Sequence, residues 1–142
     1  MLKILIAVDG SEHADRAIEA VGHMARSSVQ LEATLLSVSP KPLIYGGPSE
    51  ATLKKFEEEQ KKQQTATLEK AMAHARAQGL TPGEPARAHG AIAHEIVRVA
   101  KDQQFDQIVM GTRGMGAITG ILMGSVSQQV VSLSPLPVLL VK

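Results

Sequence analysis

The segment Leu2-Lys3-Ile4-Leu5-Ile6-Ala7-Val8-Asp9-Gly10-Ser11 decides the fold class of this chain, because the residues before Asp9 are nearly all apolar. A strand that is covered on both faces of a parallel sheet has this continuous apolar composition, whereas a half-exposed strand alternates with polar residues. Asp9, Gly10 and Ser11 then favour a turn, and the spacing of Asp9 and Glu12 predicts a capping box with Asp9 at the helix start. The segment therefore predicts a buried strand followed at once by a helix.

The same order of strand and helix repeats along the rest of the chain. Apolar runs predict strands at 2–8, 31–38, 107–110 and 137–141, and residues 84–89, which match a strand poorly, are a further candidate. The helical spacing of apolar residues predicts helices at 14–25 and 92–100, a polar helix-favouring composition predicts one at 50–78, and a fourth is predicted at 126–132. Such alternation is typical of an α/β fold, in which helices cover both faces of a parallel sheet. The length of 142 residues fits one domain, residues 1–142. The helix at 50–78 is rich in Glu and Lys, and we interpret it as a solvated face.

Composition argues against several classes of function. The chain has no cysteine, so it holds neither a disulfide nor a thiolate metal site. Its 15 basic and 14 acidic residues nearly balance, and only two Phe and one Tyr are available for base stacking, so we expect no nucleic-acid partner. No apolar run approaches the roughly 20 residues of a membrane span, and the first one is too short for a signal-peptide core. These features predict a cytoplasmic protein without a membrane partner.

Glycines follow the fourth predicted strand in the pattern G-x2-G-x9-G-[S/T], formed by Gly111, Gly114, Gly124 and Ser125. Glycine lets main-chain amides approach a ligand closely, and the N–H groups and positive dipole end of a helix start favour phosphate. Ligands of open α/β sheets bind beyond the carboxyl ends of strands, where the winding direction reverses. If the first and fourth strands are neighbours, this segment and Asp9 face one crevice. The sequence therefore predicts a phosphate-binding cradle.

Other nucleotide and catalytic signatures are missing from the sequence. There is no G-x-x-x-x-G-K-[S/T] motif, and no G-x-G-x-x-G follows the first strand, which disfavours a P-loop and a dinucleotide site. The five histidines are scattered and do not form the paired spacing of a zinc helix. No nucleophile elbow is present either. Phosphate binding by main-chain groups is thus the function that the residues favour.

The chain resembles the ATP-binding members of the universal stress protein family. The matching segments span almost the full length: 4–11, 35–38, Gly90, 106–114, 124–127 and 137–141. The resemblance implies an open five-stranded parallel sheet in the order 3-2-1-4-5, a Rossmann-like fold of the adenine nucleotide alpha hydrolase type. That order makes the first and fourth strands neighbours, as the crevice argument requires.

The resemblance also implies the residues that bind ATP. The adenine pocket is expected to be lined by Ala7, Val8 and Val38. Asp9 is expected to contact the ribose or, through a metal ion such as Mg²⁺, the phosphates. The ribose and phosphates are expected to be wrapped by Met110, Gly111, Arg113 and Gly114, and the phosphates to be bound by the amides and hydroxyls of Gly124, Ser125, Val126 and Ser127.

By the same resemblance, the chain is expected to be an ATP-binding regulatory protein of the stress response. It is expected to form a homodimer in which the last strand, Val138 to Val141, pairs antiparallel with its copy. Two alternatives stay open. One is a slow ATPase or autophosphorylating enzyme, although the glycine segment offers one Arg and no Lys to stabilise phosphoryl transfer. The other is an interaction module that works without a nucleotide.

Overall fold

The computed structural model describes residues 1–41, 46–114 and 123–142, and within these ranges five strands form one parallel sheet. The strands are β1 (Leu2–Ala7), β2 (Leu31–Ser39), β3 (Ala86–His89), β4 (Gln107–Gly111) and β5 (Val138–Val141). The helices are α1 (Glu12–Arg26), α2 (Glu50–Ala77), α3 (Ile92–Asp102) and α4 (Ser125–Leu133). The sheet order is β3-β2-β1-β4-β5, which confirms the predicted α/β class and strand order.

The winding direction reverses at β1. This strand pairs with β2 on one side, from Leu2 opposite Leu31 onward, and with β4 on the other, where Ile6 lies opposite Val109. The chain adds β3 outside β2 and β5 outside β4. The segments that follow β1 and β4 therefore leave the sheet side by side, which is where α/β folds form ligand crevices.

Helices cover both faces of the sheet, as the apolar run in β1 predicted. Ile4 and Ile6 point into the core layer that holds α1 and α2, whereas Leu5 points into the layer that holds α3 and α4. All three side chains are fully buried. A strand whose successive side chains enter two apolar layers needs a continuous apolar sequence, because neither of its faces meets water.

The start of α1 differs from the capping box that the sequence predicted. Ser11 is the N-cap, and its hydroxyl accepts the N–H of Ala14 at 3.2 Å. Gly10 has φ +84°, a left-handed conformation that cannot continue a right-handed helix, so the helix begins after it. Asp9 instead accepts the N–H of Ser11 on Oδ1 at 2.9 Å. Its carboxylate is held at the end of β1 and does not cap α1.

Helix α2 has two unlike halves. From Glu50 to Gln63 none of its residues is buried, as expected of a solvated face. From Gln64 onward one side is buried against the core, through Gln64, Leu68, Ala71 and Ala75.

The helix ends in a Schellman motif. Gly79, at φ +86°, follows the C-cap, and the N–H of Leu80 donates to the carbonyl of Ala75 at 3.0 Å.

Candidate functional site

A cavity of about 870 Å³ opens at the carboxyl ends of β1, β2 and β4. Its volume lies within the range of roughly 300–1,000 Å³ that is common for small-molecule sites. Every site residue that the sequence predicted borders it: Ala7, Val8, Asp9, Val38, Met110, Gly111, Arg113, Gly114, Gly124, Ser125, Val126 and Ser127. The fold thus brings these residues together, and their contact with a ligand stays a prediction.

Gly114 lies directly against Asp9. A Cβ atom built on Gly114 would be 2.5 Å from Oδ2 of Asp9, closer than real Cβ contacts come. Any side chain at residue 114 would therefore have to displace the carboxylate, which is held on its other oxygen by the N–H of Ser11. The end of β1 and the glycine segment after β4 meet at this point, as the predicted crevice requires.

Gly111 has a different reason to be glycine than ligand approach. A Cβ atom built on it would lie 2.5 Å from Cβ and 2.8 Å from the main-chain carbon of His13 in α1. The missing side chain therefore lets α1 pack closely against the end of β4. Gly111 borders the cavity, but its lack of a side chain is explained by helix packing.

Gly124 meets only ordinary contacts. The nearest atoms to a Cβ built there, in Arg113 and Thr112, are 3.5 Å away, and its φ of −76° suits any residue. Its N–H donates to the carbonyl of Thr112 at 2.7 Å. The sequence predicted this amide as a phosphate donor, but in the structure its hydrogen is already bonded within the protein.

The hydroxyl of Ser127 is also engaged. It is buried and donates to the carbonyls of Thr112, at 2.7 Å, and Gly124, at 2.9 Å. Its single hydrogen is shared between these acceptors, so the hydroxyl predicted to bind phosphate serves instead to tie α4 to the end of β4. The contribution of Ser127 to an anion site is left to its main-chain N–H.

The N-terminus of α4 keeps main-chain donors for a ligand. No side chain in the described part of the chain caps this helix, and its first internal bond is from the N–H of Gln128 to the carbonyl of Gly124. The preceding N–H groups, those of Ser125, Val126 and Ser127, lie at the positive end of the helix dipole and border the cavity. An anion placed there would receive hydrogen bonds without displacing a partner among the residues that the structure describes.

The other walls of the cavity are apolar on one side and amide-rich on the other. Val38 and Met110 at the ends of their strands face Ile92 and Ile96 from α3 across an apolar region. Helix α2 adds uncharged polar residues that the sequence analysis missed, namely Gln60, Gln63, Gln64 and Thr67. Their signal was present: within a strongly charged helix, these neutral polar residues recur at helical spacing.

Metal ligands are sparse in this part of the molecule. The described ranges contain no group of three or more His, Cys, Asp or Glu side chains that could hold a metal ion. Asp9 is the acidic residue among the described ones that border the cavity, so a cation there would need further oxygen ligands, from neutral protein groups or from a bound molecule. Separately, none of the described helices is both long and apolar enough to cross a membrane.

Comparison with known proteins gives a consistent result. The model of the universal stress protein family matches residues 1–142. A universal stress protein of Thermus aquaticus is 40% identical over 145 residues, which cover 98% of this chain and 97% of that protein. The solved structure of the universal stress protein UspA from Lactobacillus plantarum is 21% identical, with a TM-score of 0.83. The match covers 99% of this chain and 97% of that one, which shows the shared fold. A universal stress protein solved in complex with cAMP is 28% identical, with a TM-score of 0.65, and the match covers 99% of this chain and 95% of that one.

Proposed function

The chain belongs to the universal stress protein family, and from this premise we propose that it is an ATP-binding regulatory protein of the stress response. The observation that carries the proposal is the meeting of three features at one cavity. They are the Asp9 carboxylate, the glycine segment that packs on it, and the uncapped N-terminus of α4. The relative that was solved with cAMP supports an adenine nucleotide as the ligand class.

The residues divide the cavity into two regions that suit the two ends of a nucleotide. The amides of Ser125 to Ser127 suit the phosphates, because they lie at a positive helix end and no side chain of the described residues caps them. The apolar side, formed by Val38, Met110 and Ile96, suits a purine ring, which gains by leaving water. Asp9, which borders the same cavity, would accept hydrogen bonds from ribose hydroxyls or bind Mg²⁺ held by the phosphates.

Binding, and not rapid turnover, is the activity that we propose. Phosphoryl transfer needs charge neutralisation at the γ-phosphate and a group that orients the attacking water. Arg113 is the cation, and Asp9 the carboxylate, among the described residues that border the cavity. We expect the purified protein to release phosphate from ATP well below the rates of about 1–100 s⁻¹ that are typical of kinases. Steady-state release at a kinase-like rate, lost in an Asp9→Ala variant, would overturn this view.

Two measurements test the proposal directly. Isothermal titration with ATP, ADP, AMP, cAMP and GTP should give a binding signal for the adenine nucleotides, because they share the base and the ribose. Native mass spectrometry of freshly purified protein should show a bound nucleotide in at least part of the population. Absence of both a binding heat and a bound mass would exclude the nucleotide proposal and leave an interaction module that works without a nucleotide.

Asp9→Asn separates the charge of this residue from its structural role. The amide oxygen of asparagine can still accept the N–H of Ser11, so the turn after β1 should be retained. The variant loses the negative charge that would hold Mg²⁺ beside the phosphates. We expect the gain in ATP affinity produced by Mg²⁺ to fall by about tenfold, the size of one lost charge-assisted interaction. Titrations with Mg²⁺ and with EDTA measure this, and an unchanged Mg²⁺ effect would assign Asp9 to the ribose.

The edge strand β5 supports the proposal of a homodimer. It pairs with β4 on one side, and its residues Val138–Val141 are only half-buried. An edge strand leaves main-chain N–H and C=O groups ready to pair with another strand. Antiparallel pairing of two copies across a two-fold axis would satisfy them, and the native mass spectrum reports the number of subunits.

For the location we propose the cytoplasm. The chain has no cysteine, so its folding does not depend on the oxidising environment in which disulfides form.

A further inference from the structure

Gln64 is a buried glutamine whose side-chain nitrogen is fixed by the main chain. Only 9% of the residue is exposed. Its Nε2 donates to the carbonyl of Ser37 at 2.9 Å and to the carbonyl of Ala88 at 3.2 Å. An amide nitrogen has two hydrogens, so both are used, and a reversed amide would place Oε1 against two carbonyl oxygens. The side chain of Gln64 therefore has one orientation.

The remaining polar atom of Gln64 is open to the cavity. Among the described residues, Oε1 accepts no hydrogen bond, and Gln64 borders the cavity. Of the buried side-chain polar atoms in those residues, the one that has no partner is Nδ1 of His13. Oε1 of Gln64 is therefore not sealed in the core. It is a hydrogen-bond acceptor with a fixed direction, held in reach of a bound molecule.

The position of this acceptor is at the end of the cavity that suits a base. Its partner Ser37 directly precedes Val38, which borders the apolar region. The phosphate-binding amides of α4 lie beyond β4, and β1 separates β4 from β2. Neighbouring strands are about 4.8 Å apart, so β2 and β4 are separated by about 10 Å. An acceptor oxygen at β2 thus lies on the side of the apolar region that Val38 provides, away from the amides of α4 that follow β4.

We propose that Oε1 of Gln64 selects a purine that carries a hydrogen-bond donor at position 6, the exocyclic amino group of adenine. This inference rests on the proposed function, since it assumes that a nucleotide occupies the cavity. A 6-oxo purine, such as hypoxanthine or guanine, would place an acceptor against this acceptor and leave both unpaired. The main-chain bonds that fix the amide prevent it from turning to donate instead. The specificity of the site is in this way built into the packing of α2 on the sheet.

The test compares ATP with purine riboside triphosphate, which lacks only the amino group, and with inosine triphosphate, which has an oxygen in its place. One lost hydrogen bond that leaves a buried acceptor unpaired is worth about 1–3 kcal/mol, so we expect wild-type protein to bind ATP about tenfold more tightly than either analogue. In Gln64→Met, of similar length, the affinities for ATP and purine riboside triphosphate should become equal. The control Gln30→Met, at an exposed residue before β2 that does not border the cavity, should keep the wild-type ratio.

A second measurement on wild-type protein covers the case in which Gln64→Met does not fold. The side-chain amide resonance of Gln64 in ¹⁵N-labelled protein should shift when ATP binds and stay in place with purine riboside triphosphate. Equal shifts, or equal affinities of the wild type for ATP and this analogue, overturn the role of Gln64 while the nucleotide proposal stands. If no nucleotide binds the wild type at all, the nucleotide proposal fails and this inference fails with it.

Discussion

Ser125→Pro should weaken ATP binding by at least about tenfold while leaving the fold intact. Ser125 is the first residue of α4, and its N–H is one of the donors proposed for the phosphates. Proline lacks this hydrogen but is well accepted at the first position of a helix. It also requires an extended residue before it, and Gly124 has φ −76° and ψ 167°. A hydrogen bond to a charged group contributes about 1.5–3 kcal/mol, and 1.4 kcal/mol corresponds to a factor of ten in affinity.

The matched control is Ser125→Ala, which removes the hydroxyl and keeps the N–H. We expect it to bind ATP nearly as well as the wild type. Circular dichroism and thermal melting should show the same fold and stability for both variants, and titration calorimetry gives the affinities. An equal loss in both variants would assign the phosphate contact to the hydroxyl. A proline variant that is folded and binds ATP normally would remove α4 from the proposed site.

Gly111→Ala should lower the free energy of unfolding by about 1–3 kcal/mol, the usual cost of forcing an extra group into a packed interior. The new methyl would lie 2.8 Å from the main-chain carbon of His13, an atom that cannot rotate away as a side chain could. Relief therefore requires α1 or the end of β4 to move. Urea denaturation without nucleotide measures the loss, so that an effect on folding is not confused with an effect on ligand binding.

Gly124→Ala is the control for that experiment, because it alters a glycine of the same motif that has room for a side chain. Its nearest neighbours would be 3.5 Å from the new methyl, and its φ is negative. We expect a loss of about 0.5 kcal/mol, because alanine is a poorer N-cap than glycine, and no added cost from crowding. If both variants lost the same stability, the close packing of α1 on β4 could not be the reason for Gly111.

Gly111 and Gly114 illustrate what a sequence reveals about a site and what it does not. The spacing of the motif predicted that the end of β4 and the start of α4 border one cavity, and the structure brings them together. The reason for each glycine was not predictable. At Gly111 a side chain would collide with His13, and at Gly114 it would collide with Asp9. Both of these partners are distant in sequence. Contacts of this kind depend on how elements pack, which local patterns do not encode.

The sequence also predicted some features of the fold and not others. The apolar run in β1 indicated burial on both faces, and Ile4, Leu5 and Ile6 are indeed fully buried. The strand order did not follow from periodicity, since alternation of strands and helices is compatible with several orders, and it came from the family resemblance. Asp9 was wrongly predicted as the cap of α1, because the spacing to Glu12 fits a capping box but the left-handed turn at Gly10 intervenes.

Gln64 was missed for a related reason. In a helix rich in Glu and Lys, one neutral polar residue by itself does not stand out from the solvated surface, although the repeat of such residues at helical spacing does. Its burial depends on the tertiary position of α2, which brings Gln64 against the ends of β2 and β3. A stripe of uncharged polar residues on an otherwise charged helix is therefore worth testing as a site wall in other sequences of this class.

The two halves of α2 differ in how much substitution they can accept. Substitutions between Glu50 and Gln63 replace side chains that are not buried, and such changes usually alter stability by less than about 0.5 kcal/mol. Substitutions after Gln64 enter the core at Leu68, Ala71 and Ala75 and are constrained by packing. A protein engineer can thus alter the part of the cavity wall that the exposed half provides, at Gln60, while Gln64 and the core residues after it are kept.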